Sequence, residues 1–441
     1  MGLSRGFYMT VYFDANNIYD AGTKAMQSSK FKHGTQLFEM NHLLTTAHIR
    51  QDFITGDYKP DPGNKFPINE RGHPRYITSN TMVDKTVNHL LCDEVLTPSI
   101  SKYLIYDNGA SQKGKGVAFH RRRFKARLHQ YFMQSGTNEG CILLVDFSGY
   151  YANIPHDKCQ EVLQTFLERE VEDPETLAIT EMLLPLIFKT FEQDVSRFTD
   201  KEIEAMMAGK IDPMLNYGAD PALLTGEKML RKGADIGSQP SQNIGIVYPY
   251  RPDNYAKIVK AVKGYGRYTD DSYAIARTRE ELLELLNGLE KEAKEYGLII
   301  NRKKTRIVKL SSEFRHLQVC YSLTETGRVI RKINPKNITR ERRKLKAYKR
   351  LLDSGRIGYA TVENAFKSWL GSHWKYMSHD QVYNMSSLYY ELFGRRPKWK
   401  KGHGRLHWLM AHPSTASTST GTTTSAPPPS PRTPSPVSSP A

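Results

Sequence analysis

Tyr265-Gly266-Arg267-Tyr268-Thr269-Asp270-Asp271-Ser272-Tyr273-Ala274-Ile275-Ala276 is the stretch on which the reading of this chain turns. Two adjacent carboxylates, Asp270 and Asp271, lie between two β-prone runs, Gly266 to Tyr268 and Ser272 to Ile275, which places them at the tip of a tight hairpin. Like charges side by side repel and lose hydration beside apolar residues, so a fold that keeps them together commonly neutralises them with a cation. Hard oxygen donors of this kind suit Mg²⁺. An ordinary acidic turn would carry the same residues, because Asp is a frequent turn former.

Outward from the hairpin, Cys141 to Phe147 reads Cys-Ile-Leu-Leu-Val-Asp-Phe, a buried-strand run that ends beside one carboxylate, Asp146. Five residues on, Tyr151 could stack on the sugar of a nucleotide or simply fill core. Ile236-Gly237-Ser238-Gln239-Pro240-Ser241-Gln242 is a small-residue loop, suited to close approach by a base pair or to a connection before a helix. After the hairpin, Leu282, Leu283, Leu285, Leu286 and Leu289 pattern a helix over 278–296, and Gly297 stops it. Leu298 to Ile300 then predicts a strand, followed by a basic turn and a further strand through Leu310. This order of elements predicts an α+β layer, with helices packed on one face of an antiparallel sheet.

The chain is basic: 63 Lys and Arg against 46 Asp and Glu give a formal charge of +17, which points to a polyanion partner. The densest cationic segment begins at Asp107, where a loop with Lys113, Lys115 and three glycines precedes a helix carrying Arg121, Arg122, Arg123, Lys125 and Arg127 around Phe119, Phe124, Leu128 and Phe132. A solvated basic helix after a flexible loop is the plainer reading. Upstream come a β-prone run at Tyr8 to Phe13, a helical region through Arg50, a short extended segment at Pro74 to Ile77 with Arg75, and a helix over 84–95. Residues 174–225 read as helical and mixed, without chemistry.

Beyond a hairpin at 322–334, three helices over 339–352, 361–377 and 381–393 make a small bundle whose basic face includes Arg343 and Lys344. Residues 396–413 add a cationic run, and 414–441, almost entirely Ser, Thr, Pro, Gly and Ala, read as a disordered tail. Four dispersed cysteines argue against a zinc module, give no sign of a disulfide framework and favour a reducing compartment. No apolar run approaches the roughly 18 residues of a membrane span, and no secretory leader is evident.

In chain order, Asp146 after a buried strand, Ile236-Gly237-x-x-x-Ser241-Gln242, Tyr268-Thr269-Asp270-Asp271 and Gly297-Leu298-x-x-Asn301-x-x-Lys304-Thr305 resemble the successive palm motifs of reverse transcriptases. Arg75-x-Ile77 and the loop Gln112-Lys113-Gly114-Lys115-Gly116 look like fingers motifs of the bacterial, group II intron-like enzymes. The likeness covers about residues 35–395. It implies a right-hand polymerase: N-terminal helices and fingers over 1–135, palm over 136–322, and a helical thumb over 323–395.

The resemblance further implies that Asp146, Asp270 and Asp271, with the backbone carbonyl of Phe147, hold two Mg²⁺ ions, Mn²⁺ substituting, for in-line nucleotidyl transfer. Tyr151 would gate against the 2′-hydroxyl, Arg75 and Lys115 would meet the triphosphate, and Lys304 would protonate pyrophosphate. Ile236, Gly237 and Gln242 would line the incoming base pair, and the basic residues would bind template RNA and the cDNA or primer. Deoxynucleoside triphosphates, a small accessory protein and a bacterial cytoplasm complete the expectation. Most family members have Gln-Gly and Ser-Pro where this chain has Ile236-Gly237 and Ser241-Gln242; the variant is similar to that of diversity-generating retroelements, which copy with errors. Phage-defence enzymes that use a dedicated non-coding RNA share the scaffold. Outside this class stand a non-catalytic RNA-binding protein on a polymerase fold and an RNA-templated RNA polymerase. No endonuclease or ribonuclease H segment is legible.

Overall fold

The structure, a computed structural model, describes residues 12–27, 29–70, 73–210 and 220–399, together with Leu406, Leu409 and Met410. The β-prone run at 8–11, the greater part of the basic run at 396–413 and the tail at 414–441 lie outside them. The chain divides into two compact units, Met1–Leu317 with Tyr321–Ile330, and Gln318–Cys320 with Arg331–Ala441.

The first unit opens with helices α1 (Ala15–Met26), α2 (His33–Met40) and α3 (His42–Thr55). The helical region expected to run through Arg50 is thus broken at Asn41, whose own backbone leaves the helical region between α2 and α3. Strands β1 (Asn64–Glu70) and β2 (His73–Ser79) form an antiparallel ribbon in the register Ile68↔Arg75. Helix α4 (Met82–Leu90) starts on a Thr81 side-chain cap and continues through a wider turn at Leu91–Leu96. Helix α5 (Val117–Ser135) follows the glycine-rich loop.

Strand β3 (Cys141–Asp146) is buried from Ile142 to Val145, as expected for a strand with cover on both faces. Helices α6 (His156–Glu170) and α7 (Pro174–Phe191) come next. The segment read as helical and mixed beyond them holds less helix than that: Gln193–Asp194 pairs with Met229–Leu230 as a short ribbon, and among the described residues helix is confined to Asp200–Met207, capped by a reciprocal Thr199–Glu202 box, and a single turn at Pro221–Leu223. Helices α8 (Gln239–Val247) and α9 (Tyr250–Asn254) lead into β4 (Gly264–Tyr268) and β5 (Asp271–Ala276). Helix α10 (Arg279–Glu295) buries Leu282, Leu285, Leu286, Leu289 and Ala293, one face at helical spacing, and packs on β3 and β5.

Strand β6 (Arg306–Lys309) completes a four-stranded sheet of order β4-β5-β3-β6, antiparallel at every pairing. The strand expected at 298–300 is only a bridge between Phe147 and Ile300, because Gly297, at φ +68°, and the turn at Asn301 leave too little extended backbone to pair further. Strands β7 (Phe314–His316), β8 (Val319–Leu323) and β9 (Val329–Ile333) form a second sheet.

The second unit contains α11 (Pro335–Asp353), α12 (Tyr359–His373) and α13 (His379–Phe393), packed around Leu345, Val362, Phe366, Leu370, Val382 and Tyr389. Burying each such side chain contributes roughly 1.5–3 kcal/mol, and this core is its own.

Of the buried histidines in the first unit, His120, His156 and His316 make no ion pair among the described residues and are bonded to neutral groups. His156 shares a 2.7 Å hydrogen bond with the Gly233 carbonyl, and His120 and His316 meet Nε2 to Nε2 at 2.8 Å. Burial lowers all three, His120 and His156 to about 4. Below about pH 6.5 the unfolded chain takes up protons that the folded chain refuses, so stability is full above that pH and falls as pH drops toward 4. Denaturant titrations at pH 7.5 and pH 5 should show a loss on the order of 2 kcal/mol for each of His120 and His156. His156→Gln, whose amide donates to the same carbonyl without titrating, should flatten that dependence.

Candidate active site

The β4–β5 hairpin pairs from Gly264↔Ile275 to Tyr268↔Asp271, so Thr269 and Asp270 form a two-residue loop. Thr269 sits at φ +55°, a region that β-branched residues rarely occupy. That conformation is held from beneath. Arg267, whose side chain is 1% exposed, donates from Nη1 to the Thr269 carbonyl at 2.9 Å and grips Asp253 on α9 through Nε and Nη2 at 2.8–3.0 Å.

The neighbouring strand supplies the third carboxylate. β3 pairs with β5 in the register Asp146↔Asp271, and residues directly opposite on antiparallel strands project to the same face. The three acids feel one another: burial, then Asp270 and Asp146, push the Asp271 carboxyl up to about 7. Asp270 is raised too, by burial and by Asp146, against the pull of Arg75 and Lys304. The segment after Gly297 wraps the same strand end. Asn301 N–H donates to the Asp146 carbonyl at 2.8 Å, and the Asp146 N–H donates to Thr305 Oγ1 at 3.4 Å. Lys304 places its ammonium 3.4 Å from Asp146 Oδ2, a buried oxygen with no aligned hydrogen bond. Phe147 is buried beside Tyr150, its backbone paired with Ile300.

Tyr151 opens a single helical turn, Tyr151–Asn153, with its hydroxyl against Gly245 of α8; a side-chain methyl at Gly245 would overlap it. Burial, then the charge of Asp270, push this hydroxyl up to about 12, which places it in the field of the carboxylates. Ile236 and Gly237 are fastened to the strand that bears Arg75. Thr78 N–H donates to the Ile236 carbonyl at 3.1 Å, Ile77 and Ile236 form a parallel bridge, and Gly237 at φ +121° lies so close that a Cβ would stand 3.0 Å from the Thr78 carbonyl. Gln242 is exposed on α8, and Arg75 is exposed on β2.

The basic segment divides into braces and surface. Lys115 turns inward, donating to the carbonyls of Tyr106 at 3.0 Å and Asn108 at 3.2 Å, and burial lowers it. Arg123 and Arg127 clamp the buried Asp107, and Arg121 donates to the Leu317 carbonyl at 2.6 Å. Lys113, Arg122 and Lys125 are exposed, Arg122 lying over the Phe119 ring. In the second unit Arg343 is exposed on α11 and Lys344 lies over Tyr348.

Sequence reasoning missed the Arg267–Asp253 pair. Its one signal was the alternation Tyr265, Arg267 on the inward side of a strand, a charge where the period demands burial and hence a partner.

Among the described residues no group of three or more His, Cys, Asp or Glu side chains is arranged to hold a metal ion, and no helix is long and apolar enough to cross a membrane. What the three acids present is donor chemistry: hard oxygens, with Asp270 and Asp271 made costlier to ionise by burial and by their acidic neighbours. Because the Asp271 carboxyl is raised in the fold, its cost is absent below about pH 3.9, grows as pH rises toward 7 and is constant above. Without divalent ions, Asp271→Asn should stabilise the protein at pH 8 on the order of 2 kcal/mol and leave it unchanged near pH 4. Melting curves at the two pH values check this.

No protein-family model and no curated protein matches the chain. Among solved structures, it is similar to telomerase from Candida albicans in complex with a TWJ fragment of telomeric RNA, at 12% identity and TM-score 0.43, covering 79% of this chain and 62% of that one. It is also similar to apo telomerase from Candida tropicalis truncated from its C-terminal domain, at 11% identity and TM-score 0.39, covering 62% of this chain and 55% of that one. The chain thus spans less than two thirds of either.

Proposed function

We propose that this chain is a reverse transcriptase, an RNA-directed DNA polymerase built as a right hand. The observation that carries the reading is the strand register that sets Asp146 opposite Asp271, with Asp270 at the adjoining turn and Lys304 against Asp146. Acids so placed fit the hard-donor chemistry of Mg²⁺ or Mn²⁺, although their side chains do not close on a common point here. Asp146, Asp270, Asp271 and the Phe147 carbonyl would hold the metal, which when bound supplies charge neutralisation and an acidified primer hydroxyl.

This chain's own groups do the rest. Tyr151, fixed against Gly245, limits the space at the sugar 2′ position and favours deoxynucleotides. Arg75, exposed on β2, approaches the triphosphate, and Lys304 moves from Asp146 to the departing pyrophosphate as a proton donor. Lys113, Arg122 and Lys125 offer exposed cations to the backbones of template RNA and primer. Arg343 and Lys344 act likewise on the thumb. Lys115, held by its own loop, shapes that loop rather than reaching for phosphate.

The finer reading is an enzyme of a diversity-generating retroelement. Ile236 carries an aliphatic side chain where most of the family has an amide, which removes a hydrogen-bonding handle near the templating pair and relaxes selection.

Primer extension on an RNA template with deoxynucleotides and Mg²⁺ tests the activity: Asp270→Ala should reduce it by about three orders of magnitude or more, with RNA binding retained. Extension that survives Asp270→Ala, or a wild type that binds RNA but extends nothing in Mg²⁺ or Mn²⁺, contradicts the proposal and leaves a non-catalytic RNA-binding protein. Error spectra test the finer reading. Ile236→Gln should lower misincorporation about tenfold, at the low end of the roughly 10–200-fold range that one side-chain contact can discriminate; identical spectra count against it.

A further inference from the structure

Arg267 has five N–H groups and the structure gives each an acceptor. Nε faces Asp253, Nη2 meets Asp253 Oδ2 at 2.8 Å and the Ile246 carbonyl at 2.7 Å, and Nη1 meets the Thr269 carbonyl at 2.9 Å and the Gly245 carbonyl at 3.5 Å. Two of those carbonyls lie in the last turn of α8, where helix geometry leaves oxygens without intrahelical partners and where a cation opposes the helix dipole. Neighbouring side chains reinforce the same acceptors. Tyr150 Oη donates to Gly245 O at 2.7 Å, Asn108 Nδ2 to Ile246 O at 3.0 Å, and Tyr265 Oη to Asp253 Oδ1 at 2.8 Å. The Arg267 backbone also joins the basic loop, donating to Asp107 O and accepting from Gly109 N.

One planar group therefore fixes two things at once. Through Thr269 it sets the turn that presents Asp270; through Gly245 it sets the surface on which Tyr151 rests. We infer that Arg267 is a positioning residue that holds the nucleotide-facing tyrosine and the carboxylate turn in fixed mutual geometry, so that sugar selection and metal-dependent chemistry are tuned through the same guanidinium. The inference rests on the proposed polymerase activity and deepens it. Lysine cannot substitute, because an ammonium keeps the charge opposite Asp253 but has three donors and no fork with which to span both carbonyls.

The test compares wild type, Arg267→Lys and Leu289→Ala by primer extension with deoxy- and ribonucleotides across a Mg²⁺ series, alongside melting curves with and without Mg²⁺. Leu289 is buried in α10, remote in role from the site, and its truncation reports plain destabilisation. Arg267→Lys should narrow the deoxy-to-ribonucleotide preference in kcat/KM about tenfold and raise the half-maximal Mg²⁺ concentration severalfold, since small misplacements of reacting groups cost on this scale. It should also shrink the Mg²⁺-induced rise in Tm. Leu289→Ala should lower Tm and leave all three unchanged.

If Arg267→Lys does not fold, Tyr265→Phe, which removes one hydroxyl hydrogen bond to Asp253, is the milder probe and should move the same readouts in the same direction about two- to threefold. An active wild type whose Arg267→Lys or Tyr265→Phe variants keep its sugar preference and Mg²⁺ dependence overturns this inference alone. An inactive wild type overturns the proposed function and this inference with it.

Discussion

The candidate site depends on a buried ion pair that lies outside it. Arg267 and Asp253 are each about 1% exposed, and such a pair gains little over an apolar filling of the same shape, whereas deleting one partner strands a charge in the core at a cost of about 3–5 kcal/mol. What the pair contributes is definition of position. A hairpin tip with threonine in the left-handed region has no intrinsic reason to stay there, and an apolar core would give the Thr269 carbonyl no donor. The guanidinium supplies that donor from a fixed place, and Asp253 fixes the guanidinium.

On this support the sheet assembles an electrostatic conflict. Antiparallel register delivers Asp146 and Asp271 to one face, and the turn delivers Asp270 beside them, so ionising any one raises the cost of the next. Lys304 relieves part of this by standing against Asp146, yet its side chain is 68% exposed and can leave. A group of acids whose nearest cation is exposed and free to leave is a place where a further cation is welcome, and this is the physical basis for chemistry at this point of the fold.

Much of the arrangement was legible in the residues. The Leu pattern of α10, the unbroken apolar run of β3 and the hairpin around Asp270 each carry a local signal at the correct period, and the structure places them within a residue or two of expectation. The pattern failed where tertiary pairing decides. Gln193–Asp194 becomes strand only because Met229–Leu230 lies beside it, and Leu298–Ile300 stays unpaired beyond one bridge because its flanking turns cut it short. Within the site, residue types betrayed the acids, while the inward turn of Lys115 and the role of Arg267 depend on carbonyls, which no sequence pattern displays.

The stitch between Thr78 and Ile236 has a mechanical consequence. The ribbon bearing Arg75 is tied to the loop that opens α8, and the closing turn of α8 is tied through Arg267 to Thr269. A nine-residue helix spans about 13 Å, so it forms a short rigid rod between these two ties. The ribbon and the acidic turn therefore share one short rigid segment as their connection, with a hydrogen bond at each end.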